Sequence, residues 1–415
     1  MVREQVALAG YTTLGLGGPA ARFVEADGGE QIVAAVRAAD RRGDPVLVLG
    51  GGSNLVVADA GFPGTVVRVA ARGIAAAADG DRVAVSVAAG EDWDALVSWC
   101  VGNGLSGLEC LSGIPGLAGA TPIQNVGAYG QDVAETLITV RVYDRRRDVT
   151  TELSNADCGF GYRTSAFKRA STAKPGTGTG GPASTGTGTG TGGPASTGTG
   201  TGTGGPATAG AGSAAGDVTG RYVVLGVTFR LASDPLSAPV RYGELARSLG
   251  VAEGDRVPLA DARNAVLRLR RGKGMVLDPA DPDTSSAGSF FTNPVLDQEQ
   301  MAALEKTVTA GWGGDVTVPR FPAGDGRVKV PAAWLIEHAG FSKGYPGRGY
   351  QAAGGRRDGG MPGPRISAKH TLALVNPGGA TTSSLLALAR EIRNGVRGTF
   401  GVELVSEPVL VGARL

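Results

Sequence analysis

The chain is poor in the residues from which metal centres and disulfide frameworks are made. Among 415 residues there are three cysteines and two histidines. Cys100, Cys110 and Cys158 form no CxxC pair. Such an odd, scattered set argues against a disulfide scaffold and against zinc, and fits a reducing cytosol. His338 and His370 are too few for most histidine-built sites, so no metal is expected. Long apolar runs are missing as well: no stretch could span a bilayer, and the start, MVREQVALAG, lacks the apolar core of a signal peptide. A cytoplasmic protein without a membrane partner is expected. Neither sign of charge dominates, with 40 Lys and Arg against 38 Asp and Glu. Short clusters such as Arg145-Arg146-Arg147 read as solvated loop faces, so no nucleic-acid partner is expected.

What is present is ample apolar material, 42% of the residues, in a length that suits two or three domains. A helix is predicted over 27–43, with Asp27 and Glu30 at capping-box spacing, a stripe of Ile32, Val33 and Val36, and Gly43 as its stop. Strands are predicted at Pro45–Leu49, Thr65–Val69, Arg82–Ala88 and Tyr222–Leu231. Further helices are predicted from Glu91 to before Gly102, and around 260–271, 297–310, 331–339 and 382–397. This alternation points to an α/β or α+β architecture. Trp93, Trp99 and Trp334 have helical surroundings and read as core residues, and both histidines read as structural or surface groups.

Residues 171–220 break the pattern. The motif GGPAS begins at Gly180 and Gly192 and GGPAT at Gly204, a period of 12 with only Thr and Gly between. Such a segment has nothing to bury and cannot offset its own conformational entropy. It reads as a disordered insertion in a surface loop. A shorter glycine-rich patch, 344–364, reads as another loop expansion.

Two glycine clusters carry the chemistry. The strand Pro45–Leu49 leads into Gly50-Gly51-Gly52-Ser53-Asn54, where backbone N–H groups could converge on a diphosphate. A plain turn is the other reading, and this turn does not match GxGxxG, which argues against a standard Rossmann site. The second cluster is more specific: Gly113-Ile114-Pro115-Gly116, then Pro122-Ile123-Gln124-Asn125-Val126-Gly127-Ala128-Tyr129-Gly130. It is either a rigid interdomain loop or one half of a cofactor cradle. Together the two clusters resemble the non-Rossmann FAD-binding fold of vanillyl-alcohol-oxidase-type flavoproteins.

Three more motifs follow in order, FGYRTSAFK (160–168), AGSFFTNP (287–294) and Ser406-Glu407-Pro408-Val409. With LGGGSNLVV and PIQNVGAYG they make the chain similar, from about Tyr11 to Gly412, to the UDP-N-acetylenolpyruvoylglucosamine reductases of bacterial peptidoglycan synthesis. The resemblance implies an α+β chain of three parts: 1–75 and 76–235 as the two FAD-binding subdomains, the second holding the insertion, and 236–415 as an α/β substrate-binding domain. It implies a monomer that carries FAD and takes hydride from NADPH to reduce a nucleotide-sugar enolpyruvate. No histidine precedes the first glycine turn, so the FAD is expected to be noncovalent. The cofactor residues implied are Gly50, Gly51, Gly52, Ser53, Asn54, Leu55, Gly113, Pro115, Gly116, Ile123, Gln124, Asn125, Gly127, Ala128, Tyr129 and Gly130.

For catalysis the resemblance implies Arg163 as the cation facing charge that develops on the substrate, Ser289 as proton donor and Glu407 as the stabilising acid. Read without it, they are a surface ion-pair arginine, a turn serine and an exposed glutamate. Tyr242, Lys273 and Asn293 are implied in substrate binding, against readings of Tyr242 as a packed aromatic and Lys273 as a solvated helix end. Relatives place Leu-Pro-Asp-Pro after that lysine, whereas here Gly274-Met275-Val276 intervenes before Leu277-Asp278-Pro279. The alternatives to this reductase are an oxidase of the same fold and a flavin-binding protein without turnover.

Overall fold

The structure, a computed structural model, describes residues 1–168, 218–347 and 362–415. The expectations for the Thr/Gly repeat and for most of the patch 344–364 fall outside the described residues. One boundary changes. The insertion predicted over 171–220 cannot include 218–220, because the Thr219 N–H donates to the Val46 carbonyl at 3.0 Å and Thr219 Oγ1 accepts from Val48 N at 2.7 Å. These residues are anchored along a buried strand, something their Gly- and Thr-rich composition conceals.

The fold is α+β, built on separate sheets. The first runs in the order Val2–Ala7, Pro19–Ala26, Phe62–Val69, Val46–Leu49. Its outer pair is antiparallel and the rest parallel, and the helix Gly29–Arg42 makes the crossover that parallel strands need. The second sheet is antiparallel, in the order Val149–Ser154, Leu137–Asp144, Tyr222–Ser233, Arg82–Ala88, Ile74–Asp79. Ile32, Val36 and Ala39, spaced along one helical stripe, share a core with Val85, Val140, Val142 and Phe229 of the second sheet. One apolar interior thus joins the two.

The helix Gly29–Arg42 ends as expected at Gly43, which is left-handed with φ 70°. Its start differs from the capping box predicted for Asp27 and Glu30. The cap is Gly28, without a side-chain bond, and Gln31 Oε1 instead accepts from the Asp27 N–H at 3.2 Å. The long amide of Gln31 reaches that N–H, so the helix begins a residue later than the Asp27 cap would set. The helix predicted from Glu91 starts at Trp93, with Asp92 accepting from Ala95 N.

The third part contains a sheet of Ser286–Ser289, Ala373–Val375 and Arg365–Ile366 with the helices Gln298–Trp312, Ala332–His338 and Thr382–Phe400. Leu385, Leu388, Ala389, Ile392 and Val396 form the buried stripe of the last helix. Leu14, Leu16 and Val56 reach into this same core. Asp59 caps the last helix from outside, accepting from the N–H groups of Thr382 and Ser383 at 2.7 and 2.9 Å. Burial works against its charge, but the hydrogen bonds from Ser383 and Thr382 outweigh it and hold its pKa below the usual carboxylate range. The C-terminal strand Val409–Val411 pairs in parallel with Leu55–Val57, tying the end of the chain to the residues after the first glycine turn.

Candidate active site

The two glycine clusters meet backbone to backbone. Gly52 has φ +63°, and a Cβ there would lie 1.9 Å from the Tyr11 carbonyl oxygen; one on Gly51 would lie 2.8 Å from the Gly116 Cα. No side chain fits at either position, which is the local reason for glycine. The Ser53 hydroxyl donates to the Pro115 carbonyl at 2.8 Å, so it clamps the two loops together. Trp93, fully buried, braces the second loop by donating its indole N–H to the Leu111 carbonyl at 3.0 Å.

Behind these loops lies a cavity of about 410 Å³, within the range of small-molecule sites. Gly50 through Leu55 line it, as do Pro115, Gly116, Ile123, Gln124 and Gly127. Arg163, Ser289 and Glu407 line the same cavity. Three sequence-distant segments therefore converge on the space beside the glycine loops.

Local structure explains each approach. Gly161 and Thr164 exchange two backbone hydrogen bonds, and Arg163 at the tip of this tight turn takes the left-handed region, φ 53°. Its carbonyl accepts from Lys168 Nζ at 3.3 Å, and its Nη2 donates to the Gly127 carbonyl at 3.2 Å. Ser289 ends a strand, opposite Ala373. The next residue, Phe290, accepts from the Glu407 N–H at 2.9 Å, which draws Glu407 beside Ser289. Arg163 Nε stands 3.2 Å from Glu407 Oε1. Burial raises the Glu407 pKa, while Arg163 and Lys168 oppose that rise.

Other predicted residues stand apart from the cavity wall. Gly113, Asn125, Ala128, Tyr129 and Gly130 do not line it. The Gly113 N–H donates to Asp94 Oδ1 at 2.6 Å. Asn125 is buried, with Nδ2 donating to the Gly161 carbonyl and Oδ1 accepting from Ala134 N; it supports the Arg163 turn. Tyr129 packs edge-on against Tyr242, with centroids 5.4 Å apart. Lys273 Nζ lies 5.6 Å over the Tyr129 ring and 2.6 Å from Glu244 Oε2. Tyr129, Tyr242 and Lys273 thus form a second, aromatic and cationic group. Asn293 accepts from Ala332 N at 2.9 Å, at the start of the helix Ala332–His338. His370 is held near a pKa of about 4, first by burial and then by Lys273, Lys343 and Arg270, so it is neutral at neutral pH.

Some wall residues had no signal in the sequence. Thr219, Gly220, Arg270, Met275, Leu277 and Thr284 also line the cavity. The loop with the Gly274-Met275-Val276 insertion turns at Gly274, φ +66°, and the Arg270 carbonyl accepts from Met275 N at 2.9 Å, turning Met275 and Leu277 to the wall. Only Gly274, a glycine just past a helix, could have hinted at this turn.

A profile described as the UDP-N-acetylenolpyruvoylglucosamine reductase C-terminal domain matches residues 279–411, and one described as an FAD binding domain matches residues 20–154. The chain is 52% identical over 413 residues to the UDP-N-acetylenolpyruvoylglucosamine reductase of Thermobifida fusca, covering 99% of this chain and 98% of that one. It is 50% identical over 410 residues to that of Saccharopolyspora erythraea, covering 99% and 95%. Among solved structures, the UDP-N-acetylenolpyruvylglucosamine reductase of Thermus caldophilus shares the fold, with a TM-score of 0.54 at 22% identity and coverage of 99% of this chain and 100% of that one.

Proposed function

The chain belongs to the UDP-N-acetylenolpyruvoylglucosamine reductase family, and on that premise we propose which of its residues hold the cofactor and carry the reaction. The enzyme is an FAD-dependent oxidoreductase of peptidoglycan synthesis, with NADPH as hydride donor and UDP-N-acetylglucosamine enolpyruvate as substrate. The carrying observation is the single cavity shared by the glycine loops and by Arg163, Ser289 and Glu407. Loops that leave no space for a Cβ at Gly51 or Gly52 suit a cofactor approached by bare backbone. Gly50 through Leu55 and Pro115, Gly116, Ile123, Gln124 and Gly127 would hold FAD noncovalently, with Gly113, Asn125, Ala128, Tyr129 and Gly130 shaping those loops. When bound, the flavin supplies hydride to the vinyl carbon of the substrate.

Negative charge then develops on the adjacent carbon and its carboxylate. Arg163 faces this charge, a cation aimed by a strained turn before substrate arrives. Ser289 donates the proton to the second carbon; a hydroxyl is a weak acid, but an enolate carbon is a strong base. Glu407 shares Arg163 with the incoming carboxylate. As the substrate takes up that guanidinium, Glu407 loses part of the attraction that opposes its raised pKa, and it turns to the protonated form that can donate a hydrogen bond. Lys273, with Tyr129 beside it, marks the subsite for the substrate diphosphate, Tyr242 closes over the substrate, and Asn293 sits beside the diphosphate.

The reading keeps the division at 1–75, 76–235 and 236–415, supported by the two main sheets of the first 235 residues and by a C-terminal core to which the first part adds only Leu14, Leu16 and Val56. It includes a monomeric, cytoplasmic protein with no nucleic-acid or membrane partner, supported by balanced charge and three free, buried cysteines. Burial raises the pKa of the Cys100 and Cys158 thiols to about 12. The test is a visible spectrum of the purified protein taken anaerobically. NADPH should bleach the flavin, and the enolpyruvyl sugar nucleotide should restore its colour; bleaching without recovery would remove the assigned substrate.

A further inference from the structure

Arg263 and Arg270 stand two turns apart on the helix Leu259–Gly272, and their circumstances differ. Arg263 donates from Nη1 and Nη2 to the two oxygens of Asp94 at 2.6 and 2.9 Å, and Asp94 also accepts from Gly113. That carboxylate is already engaged by three donors. Arg270 has no such partner: among the described residues no carboxylate lies within salt-bridge distance of it. Its Nη2 donates to the Met275 carbonyl at 2.8 Å, and its Nε is buried with no hydrogen-bond partner. The side chain nonetheless lines the cavity.

Burial pushes the Arg270 pKa down to about 10, with Tyr129 and Asp94 pulling it up and Arg163 pushing it further down. The group is therefore still charged at neutral pH. A buried cation with an orphan donor is costly unless something neutralises it. The other cations are already engaged: Arg163 with Glu407 and Lys273 with Glu244. The Arg270 Nε packs against Gly113, 3.5 Å from where a Cβ would stand, and Arg270 lines the cavity together with Pro115 and Gly116 of that same glycine loop, on the side assigned to the cofactor.

Hydride from NADPH brings two electrons and one proton to the isoalloxazine ring. The ring thereby gains one negative charge, carried on its N1–C2=O edge, and NADP⁺ leaves. We propose that Arg270 is the built-in counter-charge for that edge, favouring reduced over oxidised FAD. This rests on the FAD reading above and adds to it a residue that acts on the cofactor's electron affinity. It also accounts for a cation with no carboxylate partner among the described residues, since the charge it answers arises only on reduction.

The experiment uses the FAD-loaded protein and its R270M and R270K variants. It measures the two-electron midpoint potential by anaerobic dye-linked titration, the dissociation constant of oxidised FAD, and substrate affinity from perturbation of the oxidised flavin spectrum. R270M should lose at least tenfold of the preference for reduced flavin, a fall of about 30 mV for a two-electron couple, with substrate affinity within about twofold of the parent. R270K should keep most of the potential. An unchanged potential in R270M overturns the inference. So does a loss confined to substrate affinity, or equal weakening toward both oxidation states, which would mark a contact to a permanent phosphate. Should R270M fail to fold, the unmutated protein still decides. In mildly acid solution, where the reduced ring free in water would be neutral, its potential should still fall by about 30 mV per pH unit, one proton per two electrons, and a fall of about 60 mV per unit there overturns the inference. A protein that binds no FAD would refute the FAD reading itself, whereas bound FAD with these measurements failing removes only the role of Arg270.

Discussion

The two walls of the cavity are made in opposite ways. The wall of residues 50–55 and 115–127 is shaped by missing side chains: Gly51 and Gly52 let backbone touch backbone where a Cβ would stand 2.8 or 1.9 Å from its neighbour. The wall of Arg163, Ser289 and Glu407 is shaped by side chains that oppose one another, a cation 3.2 Å from a carboxyl group whose pKa burial raises. The first wall offers form and little chemistry. The second offers chemistry that is balanced until a ligand upsets it. The contrast teaches that a position can matter through having no atoms or through having competing ones, and that the two kinds should fail differently when changed.

The largest effect should come from the shaped wall. Gly52→Val forces a β-branched residue into a left-handed conformation and against the Tyr11 carbonyl, costing about 3 kcal/mol or more. Flavin content, read as the visible to ultraviolet absorbance ratio, should fall to near zero. Retention of full flavin would break the idea that this wall tolerates no side chain.

Next comes Ser289→Ala, which should leave flavin reduction by NADPH intact while turnover falls by about 10²–10⁴-fold. Stopped-flow measurement of the two half-reactions checks this, and equal loss in both would erase the distinction between the walls.

Glu407→Gln should cost about 10–100-fold in kcat, the loss of a strong hydrogen bond in the transition state. The sign of its pH effect follows from the raised pKa. The acid form is the working one, so activity should decline as pH rises through the folded-state value, and the glutamine variant should lack that limb. The same shift makes the folded protein hold this proton more tightly than the unfolded chain, so Glu407 favours folding at acid pH and ceases to as pH rises through its folded-state pKa.

The smallest effect belongs to Ser53→Ala. It removes one hydroxyl bond between the loops, worth about 1 kcal/mol, and should lower the melting temperature by a few degrees with activity largely kept. The loop backbone is expected to keep most of the flavin, and a collapse of flavin binding would show instead that the hydroxyl is the main cofactor contact of this loop.

Much of this was legible locally. Gly43 stops its helix and the stripe of Ile32 and Val36 faces the core, because helix periodicity and the left-handed region are properties of a few neighbouring residues. The glycine clusters and the motifs around Arg163, Ser289 and Glu407 could be read for the same reason. The first cap is not legible this way: Asp27 and Glu30 have capping-box spacing, but Gln31 reaches the same N–H. The insertion was drawn too long because Thr219 and Gly220 resemble the repeat in composition and are set apart only by bonds to Val46 and Val48.

Arg270 shows where local reading ends. In the sequence it is one arginine among Arg268, Arg270 and Arg271 near a helix end, where a solvated cation is the ordinary case. Its burial follows from the packing of the helix Leu259–Gly272 against Glu109–Leu111 and Trp93–Gly102, which no neighbouring residue announces.

The sequence by itself determined the family, the order of the motifs, the glycine positions and most of the helices, since these depend on residue type and short spacing. Tertiary structure decided which of those residues share a cavity, which serine is a clamp, which asparagine is a brace and which cavity-lining arginine has no carboxylate at salt-bridge distance among the described residues. The physical reason is range. Backbone freedom and periodicity act over a few residues, whereas burial, pKa and pairing are set by whatever the fold brings within a few ångströms.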